Sequence, residues 1–99
     1  MNTIQYLNEA KAKLGISSDY ALAQHLGVTR SYMSKLMAGK NHLSDELAQE
    51  IAKIIGVHSG IVVLDMHRQR AITPSEVNLW NEIYKGFQLL LLPAKRTLV

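Results

Sequence analysis

Four glycines, Gly15, Gly27, Gly39 and Gly56, cut the first part of this chain into short segments, and each segment repeats its apolar residues with a helical period. That combination constrains the fold more than any other feature. No segment is long enough for an extended helical rod, and the spacing of three and four residues does not suit a strand. Ile4, Leu7, Ala10 and Leu14 share one face of a helix that starts near Thr3 and stops at Gly15. Ser17 or Ser18 caps a second helix, whose apolar side is Ala21, Leu22 and Leu26 before Gly27. Thr29 caps a third, which turns Met33, Leu36 and Met37 inward and ends at Gly39-Lys40-Asn41. Ser44 caps a fourth, with Asp45 and Glu46 placed at its positive dipole end. Leu47, Ile51, Ile54 and Ile55 form the buried stripe of that helix.

Beyond Gly56 the reading is less direct. Residues 58–70 are expected to form a fifth helix, although Ile61-Val62-Val63-Leu64 alone reads equally well as a strand. The polar ending from Asp65 to Arg70 favours the helix. Thr73-Pro74-Ser75-Glu76 is a strong helix start, with Thr as N-cap, Pro at the first position and Glu closing a capping box. The sixth helix runs from there to about residue 91, ahead of Pro93 and a frayed tail ending at Val99. The expected fold is therefore all-α: a five-helix domain over 1–71, followed by an additional C-terminal helix and tail over 72–99.

Composition narrows the function classes. The chain has 99 residues, 47% of them hydrophobic, which is one compact core's worth of sequence. It contains no Cys, so no disulfide or thiolate–metal framework exists, in keeping with a reducing cytoplasm. The start Met1-Asn2-Thr3 does not resemble a signal peptide, and the apolar runs 61–64 and 89–92 are too short to span a bilayer. His25, His42, His58 and His67 share no ligand spacing, so no metal is expected. No nucleophile elbow, phosphate-cradling Gly loop or carboxylate pair is present, which points away from catalysis. Neither a cofactor nor a small-molecule ligand is expected.

Charge placement is more informative than the net charge of +3. Between Asp19 and Asp45 there is no acidic residue, yet that stretch holds Arg30, Lys35, Lys40, His25 and His42. Phosphate contact requires such a clearing, because a misplaced carboxylate offsets a basic contact. The segment 19–38 also has the geometry of two short helices joined by a tight turn. Gly27 supplies the positive φ that the turn needs. Ala23 sits where the two helices approach most closely, and Leu22, Leu26, Val28, Met33 and Leu36 fix their crossing. The outer side of the third helix presents Thr29, Arg30, Ser31, Tyr32, Ser34 and Lys35, which include no acid and no large aliphatic.

Ala23, Gly27, Val28, Met33 and Leu36, followed by Gly39-Lys40 and the helix over 47–55, carry a resemblance to the phage-repressor and Cro-like helix-turn-helix family (XRE type). It covers roughly residues 4–70. Segment 14–40 looks most like small phage- or prophage-encoded regulators. The resemblance implies a sequence-specific regulator, a repressor whose recognition helix enters the major groove of an inverted-repeat DNA operator. Carried over, Arg30, Ser31 and Lys35 contact bases. Ser17, Ser18, Thr29, Tyr32, Ser34, Lys40, Asn41 and His42 contact the backbone. One position departs from the pattern. Relatives often begin the second helix with Gln, which braces the recognition helix and bonds a phosphate, whereas this chain has Asp19. A carboxylate cannot donate to phosphate, so Ser17, Ser18 or backbone N–H groups take that part and Asp19 serves the helix dipole.

The C-terminal helix carries a second feature. Val77, Trp80, Tyr84, Phe87 and Leu91, with Ile83 beside them, repeat at spacings of three and four. The stripe can fold back onto the five-helix core, but that domain offers it little surface of its own, so a homodimer seam is expected instead, with half-sites about 34 Å apart. An antitoxin that uses this segment against a toxin, or an accessory factor for phage excision, are the competing functions.

Overall fold

The computed structural model describes residues 1–91, so the tail expected beyond Pro93 lies outside the described residues. These residues form six helices: α1 (Thr3–Leu14), α2 (Asp19–Leu26), α3 (Arg30–Met37), α4 (Asp45–Ile55), α5 (Ser59–Arg70) and α6 (Pro74–Leu90). No strand occurs among them, and the ambiguous segment 61–64 is helical.

Each start has a local cause. Ser18, Thr29 and Ser44 cap α2, α3 and α4, their hydroxyls accepting from the N–H groups of Ala21, Tyr32 and Leu47. Thr73 caps α6 by accepting from Glu76 N–H, with Pro74 in the first turn. The reciprocal half of the expected capping box does not form there. A full one forms at Asn2 and Gln5 instead, where each side chain accepts from the other's backbone N–H at 2.8 Å. The turn between α2 and α3 is Gly27-Val28-Thr29. Gly27 has φ 72°, and the Val28 N–H closes the helix end by donating to Ala23 O at 3.0 Å.

α1 packs on α4, α4 on α5 and α5 on α6, while α2 and α3 pair with each other and lean on α1. Leu7, Leu22, Met33, Leu36, Leu43, Ile51, Val62 and Met66 are the largest fully buried side chains. Each contributes about 1.5–3 kcal/mol by leaving water. On α4 the fully buried residues are Ala48, Ile51 and Ala52, whereas Leu47, Ile54 and Ile55 flank the core half-buried. The stripe is thus rotated from the expected one. The shift brings the small side chains of Ala48 and Ala52 into the core beside Ile51 and leaves Leu47 and Ile54 together on one edge.

One polar cluster sits inside this core. Asp65 on α5 is 2% exposed and accepts from the Tyr6 hydroxyl, from Arg68 Nη1 at 2.7 Å and from the Met1 ammonium at 3.2 Å. Arg68 continues to α6, donating through Nε to Asn81 Oδ1 at 3.0 Å and lying 4.1 Å from the centroid of the Tyr84 ring. No buried side-chain nitrogen or oxygen lacks a partner among the described residues. A buried carboxylate is tolerated only when so fully engaged.

Two further ring contacts seat α6 on α5. Trp80 stacks on His67 with centroids 4.7 Å apart, and Phe87 meets His58 edge-on at 5.1 Å. Trp80, Tyr84 and Phe87 are therefore half-buried within the chain, and the premise that this stripe lacks intramolecular surface does not hold. Val77, Ile83 and Leu91 remain 37–41% exposed. Leu79 and Leu90, at 52% and 81%, join Ile83 on a flank roughly a quarter-turn round the helix from the aromatic face.

Candidate nucleic-acid interface

The outward side of α3 is built by its own period. Met33 and Leu36 face the core, Tyr32 and Met37 lie half-buried on the flanks, and Arg30, Ser31, Ser34 and Lys35 are exposed. Ala23, 1% exposed, lies in the core where α2 and α3 pair, as its size allows. The three candidate base-contacting residues, Arg30, Ser31 and Lys35, thus share one solvent-facing side of a helix fixed by its other side. Among the described residues none of them forms a side-chain hydrogen bond or an ion pair.

The candidate backbone contacts divide into two groups. Ser17, Ser18, Thr29, Ser34 and Lys40 are exposed. Ser18 and Thr29 each use an oxygen lone pair as a cap, which leaves the hydroxyl proton available to a phosphate oxygen. Tyr32, Asn41 and His42 are half-buried. Tyr32 packs against the core beside Leu26, Val28 and Leu47. His42 turns Nδ1 toward Gln69 Oε1 at 3.2 Å, and Gln69 Oε1 also accepts from Thr3 Oγ1 at 3.1 Å. With Nδ1 donating, a neutral His42 ring offers only an acceptor at Nε2, so it donates to a phosphate only as imidazolium.

Asp19 has a partner that sequence reasoning did not supply. Lys11 Nζ reaches its Oδ1 at 2.7 Å from the last turn of α1, and the Lys11 side chain is only 16% exposed. The carboxylate at the edge of the acid-free stretch is thereby neutralised while it stands in the first turn of α2. Nothing local in sequence marks this pair, because it depends on how α1 approaches α2.

Tyr20 is the other addition. The Arg30 guanidinium carbon lies 4.7 Å from the centroid of its ring, and its hydroxyl accepts from Gln24 Nε2 at 3.1 Å. Tyr20, Arg30, Ser34 and Asp19, with Met33 and Met37 at the base, line a groove of ≈ 230 Å³ between α2 and α3. The available signal was an aromatic in the first turn of α2 with the polar Gln24 four positions on.

The assembled face offers a forked cation, a hydroxyl and an ammonium on one side of a short helix, with capped N-termini and a lysine loop nearby. That set suits base edges and phosphates. A family model described as helix-turn-helix matches residues 7–61, which take in all of α2, α3 and α4. No curated protein and no solved structure matches the chain.

Proposed function

We propose, from the premise that this chain belongs to the helix-turn-helix family and is a DNA-binding transcriptional regulator, that it represses by covering an inverted-repeat operator as a dimer. The observation that carries this reading is the outer side of α3. Arg30, Ser31, Ser34 and Lys35 stand exposed together, without an acid among them, on a helix anchored by Met33 and Leu36. Arg30 reads a guanine through its fork, Ser31 and Lys35 contact adjacent base edges, and Ser17, Ser18, Thr29 and Lys40 hold phosphates. The likeness of segment 14–40 to small phage and prophage regulators supports a phage or prophage repressor as the specific role.

The dimer reading now rests on a different seam. Trp80, Tyr84 and Phe87 are engaged with α5, so the second copy meets the exposed aliphatic flank of Leu79, Ile83 and Leu90, while Val77 and Leu91 stay on the aromatic side. The same flank is the surface an antitoxin would offer a toxin. Mass measurement of the purified protein separates the two: a dimer supports the regulator, and a monomer that binds a neighbouring gene product supports the antitoxin.

Selection of bound sequences from random duplex DNA tests the function directly and is expected to return an inverted repeat. Arg30→Ala should then cost about 1–3 kcal/mol of discrimination at one base pair in each half-site. Lys40→Ala should weaken all DNA alike and lower the salt slope by about one. Unchanged binding in both variants at fixed salt would refute this assignment of the face.

A further inference from the structure

We infer that Tyr20 is a positioning residue for DNA reading: its ring holds the Arg30 side chain in place before DNA arrives, and so helps set which base Arg30 selects. The inference rests on the reading of Arg30 as a base-contacting residue and adds the group that aims it.

An arginine at the first position of a short helix has long, freely rotating torsions, and ordering them on binding opposes affinity. The Tyr20 ring counters this by offering its face to the guanidinium carbon at 4.7 Å. Stacking on an aromatic face occupies the plane of the guanidinium and leaves its N–H edge for hydrogen bonds. An acidic partner would instead occupy that edge. The nearest acid on this groove, Asp19, is taken by Lys11 at 2.7 Å.

The platform is itself held. Tyr20 stands in the first turn of α2, behind the Ser18 cap and beside the Lys11–Asp19 pair, and Gln24 one turn on fixes its hydroxyl at 3.1 Å. Tyr20 is 49% exposed, so core packing does not explain an aromatic here.

The test compares Tyr20→Phe, Tyr20→Leu, Arg30→Ala and the Tyr20→Leu/Arg30→Ala pair by sequence selection and by affinity for preferred and random duplexes at one salt concentration. Tyr20→Leu should lower affinity for the preferred site about two- to fivefold. It should relax preference at the same base pair as Arg30→Ala and leave random-DNA affinity unchanged. Tyr20→Phe keeps the ring face and should keep the preference. In the Arg30→Ala background, Tyr20→Leu should have no further effect on selectivity. In the free protein, the Arg30 Hδ protons should show a ring-current shift that Tyr20→Leu abolishes. An unchanged preference in Tyr20→Leu alongside a changed one in Arg30→Ala overturns this inference alone. Equal loss on all DNA in Tyr20→Phe overturns it in favour of a phosphate contact through the hydroxyl. No effect of Arg30→Ala on preference overturns it together with the reading of Arg30.

Discussion

Replacing Tyr6 with phenylalanine removes one oxygen from the centre of the molecule and leaves the ring, 2% exposed, in its place. The lost group is a hydroxyl donating to the Asp65 carboxylate, which keeps Arg68 Nη1 at 2.7 Å and the Met1 ammonium at 3.2 Å. A hydrogen bond to a charged group is worth about 1.5–3 kcal/mol. With two cationic donors remaining, the loss belongs near the lower end, about 1.5–2 kcal/mol. For a domain of this size that lowers Tm by roughly 6–15 °C. Asp65→Ala should cost more, about 3–5 kcal/mol, because it strands Arg68 and the Tyr6 hydroxyl together. The pH dependence gives an independent check. Burial first, then the hydrogen bond to Asp65 and its charge, push the Tyr6 hydroxyl well above the ordinary phenol range. A raised pKa in the folded state contributes stability that is present below the unfolded value of about 10 and lost as pH climbs past it. Wild-type protein should therefore lose stability above about pH 10 more steeply than Tyr6→Phe, by about 1.4 kcal/mol per pH unit for this one proton. Thermal melts followed by circular dichroism from pH 7 to 11 measure both effects. A Tyr6→Phe protein within about 0.5 kcal/mol of wild type at pH 7, with an identical alkaline profile, would refute the argument for this cluster.

Lys11→Gln should weaken DNA binding severalfold at low salt by exposing the Asp19 charge to phosphate, with little change in melting because such pairs contribute about 0–1 kcal/mol to stability. Adding Asp19→Asn to that variant should restore binding, as read by fluorescence anisotropy. Gly27→Ala meets no atom within 4 Å, so its cost is the left-handed backbone alone, about 1–2 kcal/mol by chemical denaturation. At Gly60 the balance reverses: a Cβ there would come within 2.6 Å of the Phe87 ring. Gly60→Ala should loosen α6 while α1–α4 keep their protection in hydrogen exchange.

The helix starts and stops were legible because capping is local. Ser18, Thr29, Ser44 and Thr73 announce themselves within four residues of sequence, as does the turn at Gly27. What escaped was whatever depends on two helices meeting. The ambiguity of 61–64 has its origin in the same place. Asp65 and Met66 are buried and Arg68 half-buried, so α5 is polar where it meets α1 and α6 and lacks a clean apolar stripe. On α6 the aromatic spacing was visible, but the partners were cationic or imidazole side chains, His58, His67 and Arg68, which an apolar pattern does not reveal. At the interface the exposed side of α3 followed from its period. Tyr20 and Lys11 did not, because each acts across a gap between helices.

The seating of α6 has a kinetic consequence. Not one of its residues is fully buried, and it is held through rings and an arginine on the surface of α5. Such an element opens at a lower free energy than the core it covers, detaching and returning many times before the domain unfolds once. A protease present in small amounts should therefore find the Ala71-Ile72-Thr73 joint first, where Ile72 is 88% exposed. Cleavage there should track the openings of α6, and the rate should fall when any partner settles on its aliphatic flank.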